Sequence, residues 1–155
     1  MVMGNFDREM AKRVWQRVQA AQPDIPSLPT QPAGQLQHWI LEEWQTCQRY
    51  IILQRQLQDS QLLQGLIQQK RAQISCLKGI YRLVAEKQPK VVGVAPKQEP
   101  SAVLLRKCYG TLMRCLAQYE AMSRDPEYGS AYAQLAQENK RQCHSILRLL
   151  GENKL

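Results

Sequence analysis

The sequence predicts an all-α fold: a four-helix bundle with a long crossover between helices 2 and 3, plus a short N-terminal helix. Three observations support this fold class. The chain of 155 residues has one Phe and almost no runs of the β-branched residues that strands favour. Its composition is rich in straight-chain helix formers, including 22 Gln. Apolar residues recur every three or four positions in long segments that Pro-rich or turn-forming stretches separate.

The N-terminal part of the chain is predicted to be a short helix followed by a linker. Asp7 is placed as an N-cap, and Met10, Val14 and Val18 form an apolar stripe at helical spacing. Four prolines then occur within 22–34, and each disfavours the α conformation in the residue before it. The predicted domains are an N-terminal helix (1–21), a Pro-rich linker (22–34) and the bundle (35–151).

The first half of the bundle is predicted to be a helical hairpin. Its first helix covers about 34–58, where apolar residues recur at helical spacing. Asp59 is placed to cap the second helix, which covers about 60–86. The connection between the two helices is short, so we expect them to pack antiparallel. Trp39 and Trp44 point in different helical directions, and we expect one of them to be exposed and to mark an interface.

A second hairpin follows a long connection. The stretch 87–100 has three prolines and no periodicity, and is predicted to be the crossover. Helices are predicted at about 101–123 and 127–150, with Gly151 as the C-cap of the last one. The two hairpins also show a short internal repeat. Lys70 to Leu77 aligns with Asn139 to Ile146 in this repeat.

Charge and cysteine content restrict the classes of function. The formal net charge is +8, but the basic residues are scattered and form no cluster of five or six. We therefore expect a solvated basic surface and do not expect nucleic acid as the partner. The five cysteines are odd in number and form no C-x-x-C, so they are predicted to be reduced and buried. With no signal-peptide pattern and no apolar run of membrane length, a cytoplasmic location without membrane contact is expected.

Two segments have the spacing of a known family. EEWQTCQRY contains Glu43, Thr46 and Tyr50, and KRAQISCLKGIY contains Lys70 and Gln73. Two helix pairs joined by a crossover, with a Tyr in the first helix of each pair, resemble the rubrerythrin branch of the ferritin-like superfamily. The leader AKRVWQRV is similar to that of some small bacterial members. The resemblance implies a ferritin-like four-helix bundle over roughly 35–150.

The resemblance also implies where a di-iron site would lie. In that family each first helix gives a Glu and each second helix gives a Glu-x-x-His, whose side chains share one helical face. The corresponding positions in this chain are Glu43, Lys70, Gln73, Leu112, Asn139 and Gln142. Only Glu43 keeps the family's residue. We therefore expect no metal, no cofactor and no catalytic residue, and a vestigial site in which Lys70 pairs with Glu43 and in which Gln73 and Gln142 bond to each other or to Glu43.

The resulting expectation is a non-catalytic bundle that acts as an interaction or structural module. It could pair as a homodimer, and the sequence identifies no protein partner. One alternative is a di-metal oxidoreductase or metal-storage protein that binds iron or manganese through atypical ligands: Glu42, Glu43, Glu120, Glu138 and His144. A zinc site at Cys115, Cys143 and His144 is a further alternative, although the spacing is not that of zinc sites. A third hypothesis is a basic adaptor that binds nucleic acid or other anionic partners through Lys12, Arg13 and Arg17.

Overall fold

The computed structural model describes residues 32–152, which form a four-helix bundle without strands. The helices are α1 (Pro32–Gln56), α2 (Ser60–Ala85), α3 (Ser101–Met122) and α4 (Gly129–Glu152). The all-α prediction is confirmed, and each helix begins within about two residues of its predicted start. The predicted N-terminal helix and nearly all of the predicted linker lie outside the described residues. Within 32–152, none of the helices combines the length and hydrophobicity that crossing a bilayer requires.

Neighbouring helices in the bundle run antiparallel. α1 packs on α2 and on α3, and α4 packs on α3 and on α2. At one end of the bundle, Ser101 at the start of α3 donates to Gln56 at the end of α1, 2.7 Å away. At the other end, the ring centroids of Trp39 and Tyr119 are 5.2 Å apart. The start of α1 therefore lies beside the end of α3, and the two hairpins pack side by side.

Short-range hydrogen bonds lie at the ends of several helices. Asp59 caps α2 as predicted, since its side chain accepts a hydrogen bond from the Leu62 amide. Between α3 and α4, the Asp125 carboxylate accepts from the amides of Glu127 and Tyr128. The prediction that Gly151 caps α4 is wrong, because the helix continues to Glu152. Arg148 donates to the Glu152 carboxylate one turn later, at 2.7 Å, and this pair stabilises the last turn.

The two hairpins are related by a constant shift in sequence. Pro32 and Ser101 start the first helix of each hairpin, and Ser60 and Gly129 start the second, so both starts differ by 69 residues. The same shift relates Tyr50 to Tyr119, both of which are fully buried. The short repeat visible in the sequence thus extends over both hairpins.

The connection between α2 and α3 lies along α1. Near one end, Gln37 bonds the backbone N–H and C=O of Lys90, and near the other, Gln56 donates to the Glu99 carbonyl at 2.9 Å. In between, Gly93 lies against the Trp44 ring. Trp39 is in the core and Trp44 is half-buried. The expectation of one exposed Trp is therefore wrong, because the connection packs on Trp44.

Replacing Gly93 should destabilise the bundle. A Cβ at this position would lie 2.6 Å from Cζ3 of Trp44, so the connection or the ring must move. We expect Gly93→Ala to lower the free energy of unfolding by about 1–3 kcal/mol. The control is Gly110→Ala in α3, where a Cβ meets nothing within 4 Å and where we expect a gain of about 0.5–1 kcal/mol. Urea unfolding of both variants measures the difference, and equal effects would contradict the contact.

Candidate functional site

The six positions that the resemblance marks are all buried inside the bundle. Each has a relative exposure of 2% or less. Five of them are polar or charged and join in one network of hydrogen bonds, and the sixth is Leu112. They come from all four helices: Glu43 from α1, Lys70 and Gln73 from α2, Leu112 from α3, and Asn139 and Gln142 from α4.

At the centre of the network is a fully buried ion pair. The ammonium of Lys70 lies 3.0 Å from Oε2 of Glu43, and both side chains have 0% exposure. Lys70 also donates to Oδ1 of Asn139 at 3.2 Å. A buried ammonium requires acceptors for its protons because it has lost its hydration. The predicted pairing of Lys70 with Glu43 is confirmed, and the pair bridges the two helices of the first hairpin.

Amide side chains extend the network from α2 to α4. Nε2 of Gln73 donates to Asn139 Oδ1 at 2.9 Å, so this oxygen accepts from both Gln73 and Lys70. Nε2 of Gln142 donates to Oε1 of Gln73 at 3.0 Å, which confirms the predicted Gln73–Gln142 contact. The same Gln142 nitrogen donates to Gln69, also at 3.0 Å. Leu112 is buried and contributes only apolar surface from α3.

Two tyrosines connect the network to the first helix of each hairpin. The Tyr50 hydroxyl donates to Oε1 of Gln142 at 2.7 Å, and the Tyr119 hydroxyl donates to Oε2 of Glu43 at 3.3 Å. Burial raises the pKa of both phenols well above the usual value, and the Glu43 carboxylate raises the pKa of Tyr119 further. Both hydroxyls are therefore protonated donors at neutral pH. Glu43 Oε2 accepts from Tyr119 as well as from Lys70.

Two polar atoms of the network have no hydrogen-bond partner among the described residues. These are Oε1 of Glu43, an acceptor, and Nδ2 of Asn139, a donor. Both belong to side chains whose other polar atom is bonded to Lys70. The ammonium thus fixes the orientation of these two side chains, because turning Asn139 over would place its NH₂ against two donors.

The atypical metal ligands of the alternative hypothesis do not converge. Glu42 pairs with the exposed Arg114 at 2.8 Å, whereas Glu43 is inside the bundle. Glu120 and His144 are exposed and Glu138 is half-buried. Across residues 32–152, no group of three or more His, Cys, Asp or Glu side chains is arranged to hold a metal ion. The three ligands of the zinc hypothesis do not converge either, because His144 is exposed whereas the thiols of Cys115 and Cys143 are buried. Lys12, Arg13 and Arg17 lie outside the described residues.

All five cysteines are free thiols, and four of them are buried as predicted. Cys108 and Cys115 are in the core of α3, at 0% and 1% exposure. Burial raises the pKa of Cys108 to about 12 and also raises the pKa of Cys115, so both thiols are protonated at neutral pH. The prediction of burial is wrong for Cys76, because this residue lies on the outward face of α2.

Sequence reasoning missed part of the site. Trp39 and Tyr132 pack edge-on at 5.7 Å, and Tyr132 stacks with Tyr119 at 6.5 Å. Tyr119 therefore joins an aromatic cluster to the polar network. Gln69 was also missed, although it precedes Lys70 directly and therefore lies close to the inward face of α2.

Comparison with known proteins gives no match: no family model, no curated protein and no solved structure is significantly similar to this chain.

The Lys70–Glu43 pair should be strongly coupled in stability. Removing one partner leaves a buried charge without compensation, so we expect Lys70→Met or Glu43→Leu to cost about 3–5 kcal/mol each. Changing both should cost much less than the sum, since the pair then becomes apolar. The control is Arg114→Met, which removes a pair whose arginine is 64% exposed and should cost about 1 kcal/mol or less. A double-mutant cycle by urea unfolding measures the coupling, and additive effects would contradict it.

Stability should fall at alkaline pH, in part through Cys108. Its pKa is about 12 in the folded chain against an ordinary value of 9.0. Between these values the folded state keeps a proton that the unfolded state releases, so the free energy of unfolding decreases as pH rises, by about 1.4 kcal/mol per pH unit for this thiol. Cys108→Ser should make the decline shallower by that amount. Unfolding curves from pH 8 to 11.5 test this, and parallel declines would exclude the thiol as a cause.

Proposed function

We propose that this chain is a non-catalytic bundle of the ferritin-like, rubrerythrin type, in which an ion pair and an amide network occupy the place of a di-metal site. In this proposal it acts in the cytoplasm as an interaction or structural module, through its surfaces, and could pair as a homodimer. The observation that carries the proposal is the Lys70 ammonium, which is fully buried and bonded to Glu43 and Asn139 at the positions that the resemblance assigns to metal ligands.

The charge balance of the site supports this proposal. A di-metal centre carries about four positive charges and is neutralised by several carboxylates. Among the six positions there is one carboxylate, Glu43, and its charge is already balanced by Lys70. The remaining polar members are amides, which are weak ligands for iron. A cation entering here would meet an ammonium within the same network.

The alternative function, a di-metal oxidoreductase or storage protein containing iron or manganese, has less support. It requires several carboxylates or imidazoles near one point, and Glu42, Glu120 and His144 lie on or near the surface. Glu43 would be the one buried carboxylate available. No contact among the described residues favours this alternative over the first proposal.

Metal content distinguishes the two functions. The full chain is incubated with Fe(II), Mn(II) or Zn(II), desalted and measured by mass spectrometry, and its thermal unfolding is compared with and without chelator. We expect far less than one equivalent of each metal and no effect of chelator, because Lys70 repels cations from the site. One or two equivalents of iron would overturn the proposal in favour of the metal-binding alternative.

A second variant tests whether the bundle binds metal once the ligands that the resemblance implies are supplied. The combined substitutions Lys70→Glu, Gln73→His, Leu112→Glu, Asn139→Glu and Gln142→His supply the ligand set that the resemblance implies. We expect this variant to bind iron and to gain stability with it, because a metal that binds only the folded state stabilises it. Lys70→Met is the control, since it removes the ammonium without adding a ligand. If the combined variant folds and still binds no metal, the ferritin-like part of the proposal is wrong.

A further inference from the structure

The connection along α1 presents exposed apolar side chains in an alternating pattern. We call residues 90–99 the strap. Val92 and Val94 are 84% and 83% exposed, well above the other exposed large apolar residues of the described chain. Val91 packs on the core, and Gly93 lies on Trp44. Side chains that alternate between the bundle and solvent follow the period of a β-strand.

The length of the strap agrees with an extended conformation. Gln37 and Gln56 hold its two ends, at Lys90 and Glu99. These glutamines are 19 residues apart on α1, which corresponds to about 28 Å along a helix axis. The strap covers this distance in nine residues, or about 3.2 Å per residue, which is the rise of an extended chain. Side-chain contacts at the ends therefore keep the strap stretched over the bundle.

Most backbone N–H and C=O groups of the strap make no hydrogen bond to the described residues. The bonds to Gln37 and Gln56 involve only Lys90 and Glu99. Between Val91 and Gln98, no backbone N–H or C=O bonds another residue of the described chain. Within residues 32–152, the strap is therefore a single extended segment without a paired neighbour. Unpaired strands of this kind are templates for the addition of another strand.

The charge around the valines is positive. Lys87, Lys90 and Lys97 are all exposed. Glu99 is already paired with Lys107, at 2.7 Å. Two straps from two copies would bring their lysines together, and like charges on paired strands are unfavourable. Residues 1–31 carry four basic and three acidic side chains, which gives a net charge of +1, so this segment brings no net negative charge to the strap. An acidic partner does.

We propose that the strap is a docking strand for an extended acidic peptide, which adds to it as a second β-strand. Main-chain hydrogen bonds would hold the peptide, apolar side chains would cover Val92 and Val94, and carboxylates would face the lysines. This inference names the partner of the surface function proposed above and rests on that function. The two can fail separately, because the metal measurements do not involve the strap and peptide binding does not involve the core.

The test uses the full chain and a labelled short peptide at low salt, in which two valines at alternate positions are flanked on both sides by glutamates. A lysine–valine peptide of the same length is the charge control. We expect the glutamate peptide to bind and the lysine peptide not to bind. Amide hydrogen exchange, followed by NMR, should show new protection at every second residue between Val91 and Ala95, because alternate amides of a strand point to the same side. Protection of that kind distinguishes strand addition from attraction by charge alone.

Variants of the exposed valines locate the binding. Val92→Ser with Val94→Ser should weaken binding about tenfold or more, because the apolar contacts are lost. Met113→Ser with Leu147→Ser is the matched control, since these are the other exposed large apolar residues, at 42% and 48%, and binding should not change. Equal binding of both peptides, loss of binding in the control, or binding without alternate protection would overturn the proposal. So would self-association of the full chain that the valine variant abolishes.

Discussion

The burial of the Lys70 ammonium is the constraint on which the centre of this bundle depends. An ammonium with 0% exposure must have acceptors within hydrogen-bonding distance, and they come from two other helices, Glu43 on α1 and Asn139 on α4. The orientation of each acceptor is then fixed. Asn139 Oδ1 must face α2, which lets Gln73 donate to it, and Gln73 in turn accepts from Gln142. One charge thus determines the roles of three amides and relates the two hairpins to each other.

The charges of Lys70 and Glu43 balance each other, and the two tyrosine hydroxyls beside the network stay protonated. Tyr50 and Tyr119 donate to its two ends, and the burial that raises the pKa of each phenol keeps both as donors. Buried thiols such as Cys108 behave as small apolar residues for the same reason. Oε1 of Glu43 is the one buried acceptor of the network without a hydrogen bond among the described residues.

Much of this arrangement could be predicted from the sequence, because helical periodicity places side chains on a face before any packing is known. The four helices follow from that rule, and the Asp59 cap follows from the preference of Asp for the start of a helix. The Lys70–Glu43 and Gln73–Gln142 contacts were expected only because the resemblance to the ferritin-like family marks these positions. Contacts that depend on a loop could not be predicted this way. Trp44 is covered by Gly93 and Cys76 is exposed because of where the connection and the neighbouring helices lie, and periodicity carries no information on that. The helix also continues past Gly151 to Glu152, although Gly is the residue that most often follows a helix.

The repeat of 69 residues has a consequence for how this chain can evolve. Tyr50 and Tyr119 are equivalent in the two hairpins, yet Glu43 corresponds to Leu112 and Lys70 to Asn139, so both charges belong to the first hairpin. A single substitution at Glu43 or Lys70 leaves the other charge isolated inside the bundle. A stepwise replacement of the pair therefore passes through an unstable intermediate, whereas a simultaneous replacement of both residues does not. The two hairpins share their spacing but differ in buried charge, so neither could take the place of the other in this bundle.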